Sequence, residues 1–315
     1  MRISTATNYI LGGSNVSYQQ ALQSQMQTQL STMKRVNTPS DDPVAASRIL
    51  DIRQADGRNE QFIKNTNAAD SALSFSDEAM QSTTELISQI KTLAIQAGSG
   101  QNSAANLKQI DAQLQGMFGQ LIGASNQVDG NGQYLFSGTN STTPPYVSQQ
   151  VSNTSGGMTW DSWNVTYNGN DGQKTIPISS TRQVPVTDTG PSVFGSVGGG
   201  SLFDAVNTLH KALQLGTDTP GYNFTADLQS AIGGLDSAMT RVTTANAAVG
   251  SRMNETEATR NGNGDLSLAY AATLSKLEDL DLPKAVSDMA MAQLALQGSM
   301  AAFTKTQGLS LLNYL

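Results

Sequence analysis

The sequence predicts a mainly α-helical protein that carries a β-rich insert. In both halves of the chain, apolar residues recur at alternating steps of three and four, which is the period of packed helices. Between the two halves, this period gives way to Gly, Pro, Ser and Thr with short β-prone runs. We therefore expect three domains: long terminal coiled-coil helices (1–42 and 281–315), an α-helical rod (43–138 and 198–280) and a small β-rich domain (139–197).

Composition and charge exclude several classes of protein. The 315 residues carry a net charge of −7, which repels the phosphates of nucleic acids and anionic lipids. With no cysteine and one histidine, the chain cannot form disulfides and is not expected to bind zinc. No apolar run approaches the ~20 residues that span a bilayer, and the N-terminus lacks the apolar core of a cleavable signal peptide. These signs alone predict a soluble protein that stays inside the cell and inserts into no membrane.

A first helix is expected over about residues 8–36, with one apolar side. It should end near Thr38, because Pro39 disfavours helical backbone in the residue before it. Asp42 followed by Pro43 is a strong start signal, since the carboxylate can accept free N–H groups and proline fits the first helical position. The segment between the helices is therefore predicted to be a hinge, formed by Pro39, Ser40, Asp41, Asp42 and Pro43.

The second helix has the most regular apolar repeat in the chain and is predicted to run from Pro43 to about Ala97. A third helix should follow from a Ser103 cap to about Val128. In the β-rich insert, a hairpin is expected between strands at 163–167 and 174–178, because the loop that separates them is rich in Asn and Gly. A further β-prone run covers residues 182–186.

Helical periodicity returns after a Ser201 cap, and a longer helix is expected from about Thr225. Asn261-Gly262-Asn263-Gly264 should interrupt or loosen that helix. The last helix, from Pro283 onward, carries a row of large residues beside a row of small ones, so it is suited to two neighbours. The large row is Val286, Met289, Gln293, Leu296, Met300, Phe303 and Gln307, and the small row is Ala285, Ala292, Ala295, Ser299, Ala302 and Thr306.

We expect the terminal helices to pack against other molecules as well as each other, because two helices alone bury too little surface to offset their ordering entropy. The low charged fraction, 14%, favours such side-by-side contact, since little charge has to be desolvated. The predicted assembly seam consists of Leu22, Met26, Leu30 and Met33 near the N-terminus and Val286, Met289, Leu296, Met300, Phe303 and Leu311 near the C-terminus.

No residue cluster predicts catalysis, a cofactor or a metal. The lone His210 is interpreted as a residue at the rim of a short amphipathic helix. Asp41 and Asp42 could form a carboxylate pair for acid–base work or calcium, but capping beside Pro43 accounts for them better. Gly198-Gly199-Gly200 lacks the following Lys-Ser/Thr of a phosphate loop. The sequence therefore predicts a protein that is not an enzyme.

Four motifs occur in order along the chain: Met1-Arg2-Ile3-Ser4-Thr5, then Thr38-Pro39-Ser40-Asp41-Asp42-Pro43-Val44-Ala45-Ala46, then Asp129-Gly130-Asn131-Gly132-Gln133-Tyr134-Leu135-Phe136-Ser137-Gly138, and finally Ala302-Phe303 with Gln307-Gly308-Leu309-Ser310-Leu311-Leu312. Together they resemble the hook-filament junction proteins of bacterial flagella, a family related to flagellin. The stretch from Pro39 to Pro43 is more similar to junction proteins than to flagellin, which usually lacks these prolines. The family commonly has Gly where this chain has Met33, so a glycine-mediated bend there is in question.

The resemblance implies a ring of subunits between hook and filament, with the terminal helices around the axial channel, the long helices in the next layer and the β domain outside. It implies further copies of the chain, an adjoining hook-associated protein on the hook side and flagellin on the filament side as partners. A cytosolic export chaperone would cover the C-terminal segment. The resemblance also implies type III export as an unfolded chain, and hence an extracellular location without a cleaved signal peptide.

Three other functions stay open at this point. The closest alternative is flagellin itself or a minor filament subunit. A peptidoglycan-cleaving enzyme could travel with the same apparatus and would need Asp41, Asp42 or Glu255 for catalysis. A cytosolic coiled-coil signalling adaptor is third, although it gives no reason for the β-rich insert.

Overall fold

The computed structural model describes residues 2–100 and 102–308 and confirms the predicted fold class, since long helices precede and follow a short β-rich region along the chain. The elements are α1 (Arg2–Thr32), α2 (Pro43–Ala97), α3 (Ala104–Ser125), β1 (Tyr146–Ser155), β2 (Met158–Tyr167), β3 (Thr175–Pro177), β4 (Gln183–Pro185), α4 (Gly190–Phe194), α5 (Leu202–Leu215), α6 (Phe224–Glu278) and α7 (Leu282–Gly308).

The chain divides into two compact units, and each boundary falls inside a helix. The first unit is Met1–Glu60 with Gly264–Leu315, and the second is Gln61–Asn263. Because α2 and α6 each contribute to both units, these units divide the chain at other positions than the three expected domains. The three-domain organisation remains a prediction.

Local capping signals fix the helix ends in the second unit, as predicted. Ser103 accepts a hydrogen bond from the N–H of Asn106 at the start of α3. Ser201 and Asp204 form a reciprocal capping box at the start of α5. At the end of α2, Asn102 donates to the carbonyls of residues 96 and 97, which no longer have helical partners.

The core of the second unit is built from the predicted apolar repeats of its helices. On α2 the repeat is buried from Thr66 to Ala94, and one of its polar members, Thr83, donates its hydroxyl to the carbonyl of Ala79 in the same helix. Its buried helix residues include Leu73, Met80, Ile87 and Ile90 of α2, Leu107, Leu114 and Leu121 of α3, Phe203 and Leu209 of α5 and Leu235 and Val242 of α6.

The predicted interruption of α6 at residues 261–264 is wrong, because the helix is continuous from Phe224 to Glu278. Asn263 is buried, and its side-chain amide donates to the carbonyl of Ile178 at 3.1 Å. A glycine inside a helix costs about 1 kcal/mol relative to alanine. Packing on one side of the helix thus outweighs the weak helix propensity of Gly262 and Gly264.

The predicted hairpin is also wrong in its strand pairing. β2 pairs with β1 in an antiparallel register from Tyr146–Tyr167 to Ser155–Met158, and β3 pairs with β4. The β1–β2 turn is Gly156-Gly157, where both residues have positive φ, the geometry that matches the twist of a two-residue hairpin. The Asn-Gly loop after β2 folds back on Thr139 instead, whose N–H donates to the Asn170 side chain.

Helix α5 pairs with the outer edge of β2 through side-chain amides. Asn207 accepts from the N–H of Trp163 at 2.9 Å and donates to its carbonyl at 2.8 Å. Further along the helix, Gln214 makes the same two contacts with Asp161, at 2.7 and 3.3 Å. An amide side chain has the donor and acceptor of a peptide group, so α5 satisfies this strand edge as a neighbouring strand would.

The prediction that His210 lies at a rim is wrong, because its side chain is fully buried beneath β2. Its ring stacks on Trp163, with 4.1 Å between ring centroids, and Trp163 in turn stacks on Phe118 at 3.9 Å. Nδ1 faces the carboxylate of Asp111, and Nε2 lies 2.6 Å from the Gln214 amide nitrogen. All polar atoms of the ring have partners, so His210 is a core residue rather than a free base.

We expect Asn207→Ala to destabilise the second unit by about 1–3 kcal/mol, because it leaves the N–H and C=O of Trp163 without partners. Urea unfolding followed by tryptophan fluorescence would measure the change. Thr208→Ala is the matched control, since the Thr208 hydroxyl contacts only a carbonyl of its own helix. Equal midpoints for the two variants would show that the amide pairing contributes nothing.

Candidate assembly surface

The two chain ends form one antiparallel pair of helices within the first unit. Helix α1 packs along α7, and the ring of Tyr9 lies 5.5 Å from the ring of Phe303 near one end of the pair. Near the other end, Lys34 and Asp279 form an antiparallel bridge. A Cβ atom on Gly12 would come within 2.8 Å of the Phe303 ring, so the absence of a side chain at Gly12 lets the ring lie against α1.

The contact stripe of α7 alternates between the large row and the small row of that helix. Its least exposed residues follow steps of four and three, which is a heptad seam. The stripe therefore takes alternate members of the large row and of the small row. The stripe consists of Ala285, Met289, Ala292, Leu296, Ser299 and Phe303, whereas Val286 and Met300 are exposed.

The predicted seam residues near the N-terminus occupy two different environments. Leu22, Met26 and Leu30 are half-buried on the side of α1 that packs against α7. Met33 lies beyond the end of α1 and its side chain is 55% exposed. Leu311 lies outside the described residues.

The outward side of the helix pair carries large apolar side chains that nothing in the described chain covers. The most exposed are Leu294 (71%), Met291 (70%), Ile10 (68%) and Tyr18 (66%). When apolar side chains of this size are exposed together on one helix pair, they usually mark contacts with other molecules. We call this set, with Leu11, Val286 and Met300, the outer face.

The first helix ends earlier than expected, at Thr32, because Met33 adopts a left-handed conformation with φ of 56°. This conformation costs a residue with a Cβ about 1–2 kcal/mol. Backbone contacts with the α6–α7 link hold it in place: Leu280 N–H donates to the Met33 carbonyl at 3.1 Å, and Arg35 N–H donates to the Glu278 carbonyl at 2.6 Å. The bend that was in question is therefore present, without a glycine.

A buried carboxylate anchors this bend. The side chain of Glu278 is only 9% exposed and pairs with Lys34 Nζ at 2.9 Å and with the guanidinium of Arg53. Two cations compensate the desolvation of the single anion, which an isolated buried carboxylate would not tolerate. Below it, Val36, Ala45 and Ile49 form a small apolar core with Leu274 and Leu277.

The carboxylates of Asp41 and Asp42 both accept hydrogen bonds within the hinge. The Asp41 carboxylate accepts from the N–H groups of Thr38 and Asn37 at 2.8 and 3.0 Å and from the Gln25 side chain. Asp42 caps α2 by accepting from Ala45 N–H at 3.0 Å and also binds the Arg35 guanidinium at 3.0 Å. These contacts confirm capping as the local role of Asp42.

The same contacts stabilise the charged forms of both carboxylates. The N–H of Thr38, followed by that of Asn37, holds the pKa of Asp41 below its ordinary value. The N–H of Ala45, followed by the Arg35 guanidinium, lowers the pKa of Asp42.

The described residues contain no group of three or more His, Cys, Asp or Glu side chains that could hold a metal ion. Within the same part of the chain, no helix combines the length and apolar character needed to cross a membrane. What the arrangement offers is therefore an apolar outer face on a helix pair whose base is fixed by hydrogen bonds and ion pairs.

Sequence reasoning found the hinge and part of each contact stripe but missed Glu278, Arg53 and Lys34. Isolated charged residues in a helical sequence are usually solvated, and no spacing relates Arg53 to Glu278 along the chain. The only local signal was the basic pair Lys34-Arg35 directly after a helix end.

Two family models match the chain. The model described as the bacterial flagellin N-terminal helical region matches residues 3–141. The model described as the bacterial flagellin C-terminal helical region matches residues 232–315. Together they cover more than half of the 315 residues.

Named relatives align with nearly the whole chain. Flagellar hook-associated protein 3 of Salmonella typhimurium is 28% identical over 326 residues, covering 99% of this chain and 98% of that protein. The Escherichia coli protein of the same name is 29% identical over 330 residues with the same coverage. A solved structure of a putative flagellar hook-associated protein from Vibrio parahaemolyticus shares the fold, with a TM-score of 0.65 and 18% identity over 76% of this chain and 100% of that chain.

We expect Met33→Gly to stabilise the bend by about 0.5–1 kcal/mol, because the relief of the left-handed strain exceeds the extra entropy that glycine loses on folding. Little contact is lost, since the Met33 side chain is mostly exposed. Hydrogen exchange at the Leu280 N–H, which donates to the Met33 carbonyl, should slow. Met33→Ala is the control and should bring no such slowing, because alanine keeps the Cβ.

We expect the hinge to lose stability only in acid. Because the folded pKa values of Asp41 and Asp42 lie below the ordinary 3.8, their contribution is complete above that pH and is lost as the pH falls through the lowered values. The amide resonances of Thr38 and Ala45 should titrate with midpoints below 3.8. Asp41→Asn should abolish the titration at Thr38 and leave that at Ala45, and midpoints at or above 3.8 in the native chain would contradict the assignment.

Proposed function

Because the chain belongs to the flagellin family, we propose that it is a structural subunit of the bacterial flagellum and serves as the adaptor between hook and filament. The uncovered outer face of the terminal helix pair is the observation that carries this function. Relatives named flagellar hook-associated protein 3, aligned over almost their full length, support the junction position within the family.

Assembly and ordering of the terminal helices occur together. Within one chain, α1 and α7 bury only one narrow stripe each, and isolated helices are marginal in water. Side chains such as Leu294 and Ile10 lose their contact with water when neighbouring copies cover the outer face, at roughly 25 cal/mol per Å² of apolar surface. Copies related by rotation present different surfaces to each other and close into a ring.

The adaptor has a different partner on each side of its ring. A hook-associated protein adjoins it on the hook side, and flagellin adjoins it on the filament side. Before export, a cytosolic chaperone covers the C-terminal helix, since the exposed Met291 and Leu294 would otherwise favour aggregation. The protein acts outside the cell after export without a cleaved signal peptide, and it performs this role without catalysis.

The second candidate is flagellin or a minor filament subunit, which the descriptions of the two family models favour. The two functions differ in what the purified chain does alone. A filament subunit polymerises into long filaments, whereas an adaptor stops at a closed ring or requires its partners. Electron microscopy of the concentrated protein distinguishes them, and long filaments would overturn the adaptor function.

We expect Leu294→Asp and Leu296→Asp to block assembly for different reasons. Leu294 is exposed in the single chain, so a charge there leaves the free protein folded but cannot be desolvated between copies. Leu296 lies in the stripe against α1, so a charge there should already separate the helix pair in the free protein. Circular dichroism should therefore show lost helix for Leu296→Asp only.

The assembly readout is complementation of cells that lack the native protein, where either variant should leave hooks without filaments. Ser230→Asp is the control, because it adds the same charge at an exposed position of α6 in the second unit. Normal filaments on cells that carry Leu294→Asp would show that the outer face is not an assembly surface.

A further inference from the structure

We propose that the outer edge of β1 is a second interaction surface and that the same edge of a second copy of this chain occupies it. The terminal helices play no part in this contact, so it can form in the free protein. The contact would use the backbone N–H and C=O groups of β1 that point away from β2.

The opposite edge of the hairpin fixes which groups point outward. In an antiparallel pair, residues directly opposite each other turn their N–H and C=O groups either toward each other or both away. Trp163 turns its N–H and C=O toward Asn207 of α5, so Gln150 opposite it turns its own away from β2. The same holds for Ser152, since Asp161 opposite it pairs with Gln214.

At the start of β1, the outward groups also have a partner. The side-chain amide of Asn126 accepts from Tyr146 N–H at 2.9 Å and donates to the Tyr146 carbonyl at 2.8 Å. Side-chain amides thus satisfy the outward groups of Tyr146, Asp161 and Trp163. Along the rest of β1, no residue in the described chain hydrogen-bonds to the outward N–H and C=O groups of Ser148, Gln150, Ser152 and Thr154.

This open edge has none of the features that usually protect a strand edge from pairing. Between Ser148 and Thr154, β1 carries no charged residue, no proline and no bulge, and it spans about 20 Å at 3.4 Å per residue. Residues 149–152 are all exposed, and Val147 and Val151 present β-branched side chains to solvent. Uncharged, β-prone edges of this length readily accept another strand.

The residues of the edge favour a second copy as the added strand. Antiparallel pairing about a two-fold axis at Val151 sets Gln150 opposite Ser152 and Ser148 opposite Thr154 of the other copy, so the outward groups meet outward groups. The two-fold axis repeats both pairs, and two hydrogen bonds for each of the resulting four pairs make about eight. Every cross-strand pair is uncharged, so no like charges are brought together. Such a contact closes at two copies, unlike the rotational contacts of a ring.

Hydrogen exchange tests the edge directly in the full-length chain carrying Leu294→Asp, which removes association through the outer face. In dilute protein, the amides of Ser148, Gln150, Ser152 and Thr154 should exchange fast, and their neighbours in the ladder slowly. As concentration rises and sedimentation shows dimer, the four outward amides should become protected. If they stay unprotected in a dimer, another surface forms that dimer and the proposal is wrong.

Gln150→Pro and Gln150→Ala form the matched pair. Proline removes an outward N–H and no hydrogen bond within the hairpin, so the dimer Kd should rise at least about tenfold, whereas alanine should leave it unchanged. Thr154→Lys, which places a charge at the exposed edge, should weaken the dimer in the same way if the proline variant proves unfolded. Equal dimerisation of all variants, or protection of the edge only by a hook protein or flagellin, would overturn the assignment to a second copy.

Discussion

The contact between α1 and α7 is a single heptad stripe, and the behaviour of both chain ends depends on how narrow it is. Small residues such as Ala292 alternate with large ones such as Leu296, so the two helices approach closely along one line. A helix has more than one side, and the apolar residues that lie off this line have no partner in the described chain. The same pairing that orders the two ends therefore also creates the outer face.

Charge and backbone strain are concentrated at the base of this helix pair rather than along it. Glu278, Lys34 and Arg53 form a partly buried ion cluster beside Met33, the one non-glycine residue with positive φ among those the structure describes. Surrounding contacts have to compensate a strained residue, and here the hydrogen bonds of the α6–α7 link do so. The helix pair thus starts from a fixed bend even though its outer face is uncovered.

The strand edges of the β1–β2 hairpin in the second unit differ in whether their backbone groups have hydrogen-bond partners. Asn207, Gln214 and Asn126 satisfy backbone groups of the hairpin with side-chain amides, which substitute for absent strands without adding residues to the sheet. Beyond Tyr146, β1 has no such substitute in the described chain, and its polar, uncharged residues do not discourage pairing. The edge backbone groups of the hairpin are therefore hydrogen-bonded next to α3 and α5. Along the rest of the outer edge of β1, they have no partner among the described residues.

Signals that act over a few residues could be read from the sequence alone. The Asp42-Pro43 start, the Ser103 and Ser201 caps and the buried repeat of α2 are such signals, because capping and helical period depend on near neighbours only. The four flagellar motifs likewise indicate the family, because each is a short run of neighbouring residues. The α-helical fold class and the location of the hinge were determined at this level.

Tertiary structure decided whatever depended on a residue from a distant part of the chain. It chose β1 rather than β3 as the partner of β2, kept α6 continuous through Gly262 and buried His210 against Asp111. It also divided the predicted seam into residues that face α1 and residues that stay exposed, because a heptad pattern gives the period of a contact but not the partner for each side. Burial is a property of the assembled neighbours, so the sequence could predict apolar stripes while only the folded chain showed which of them remain uncovered.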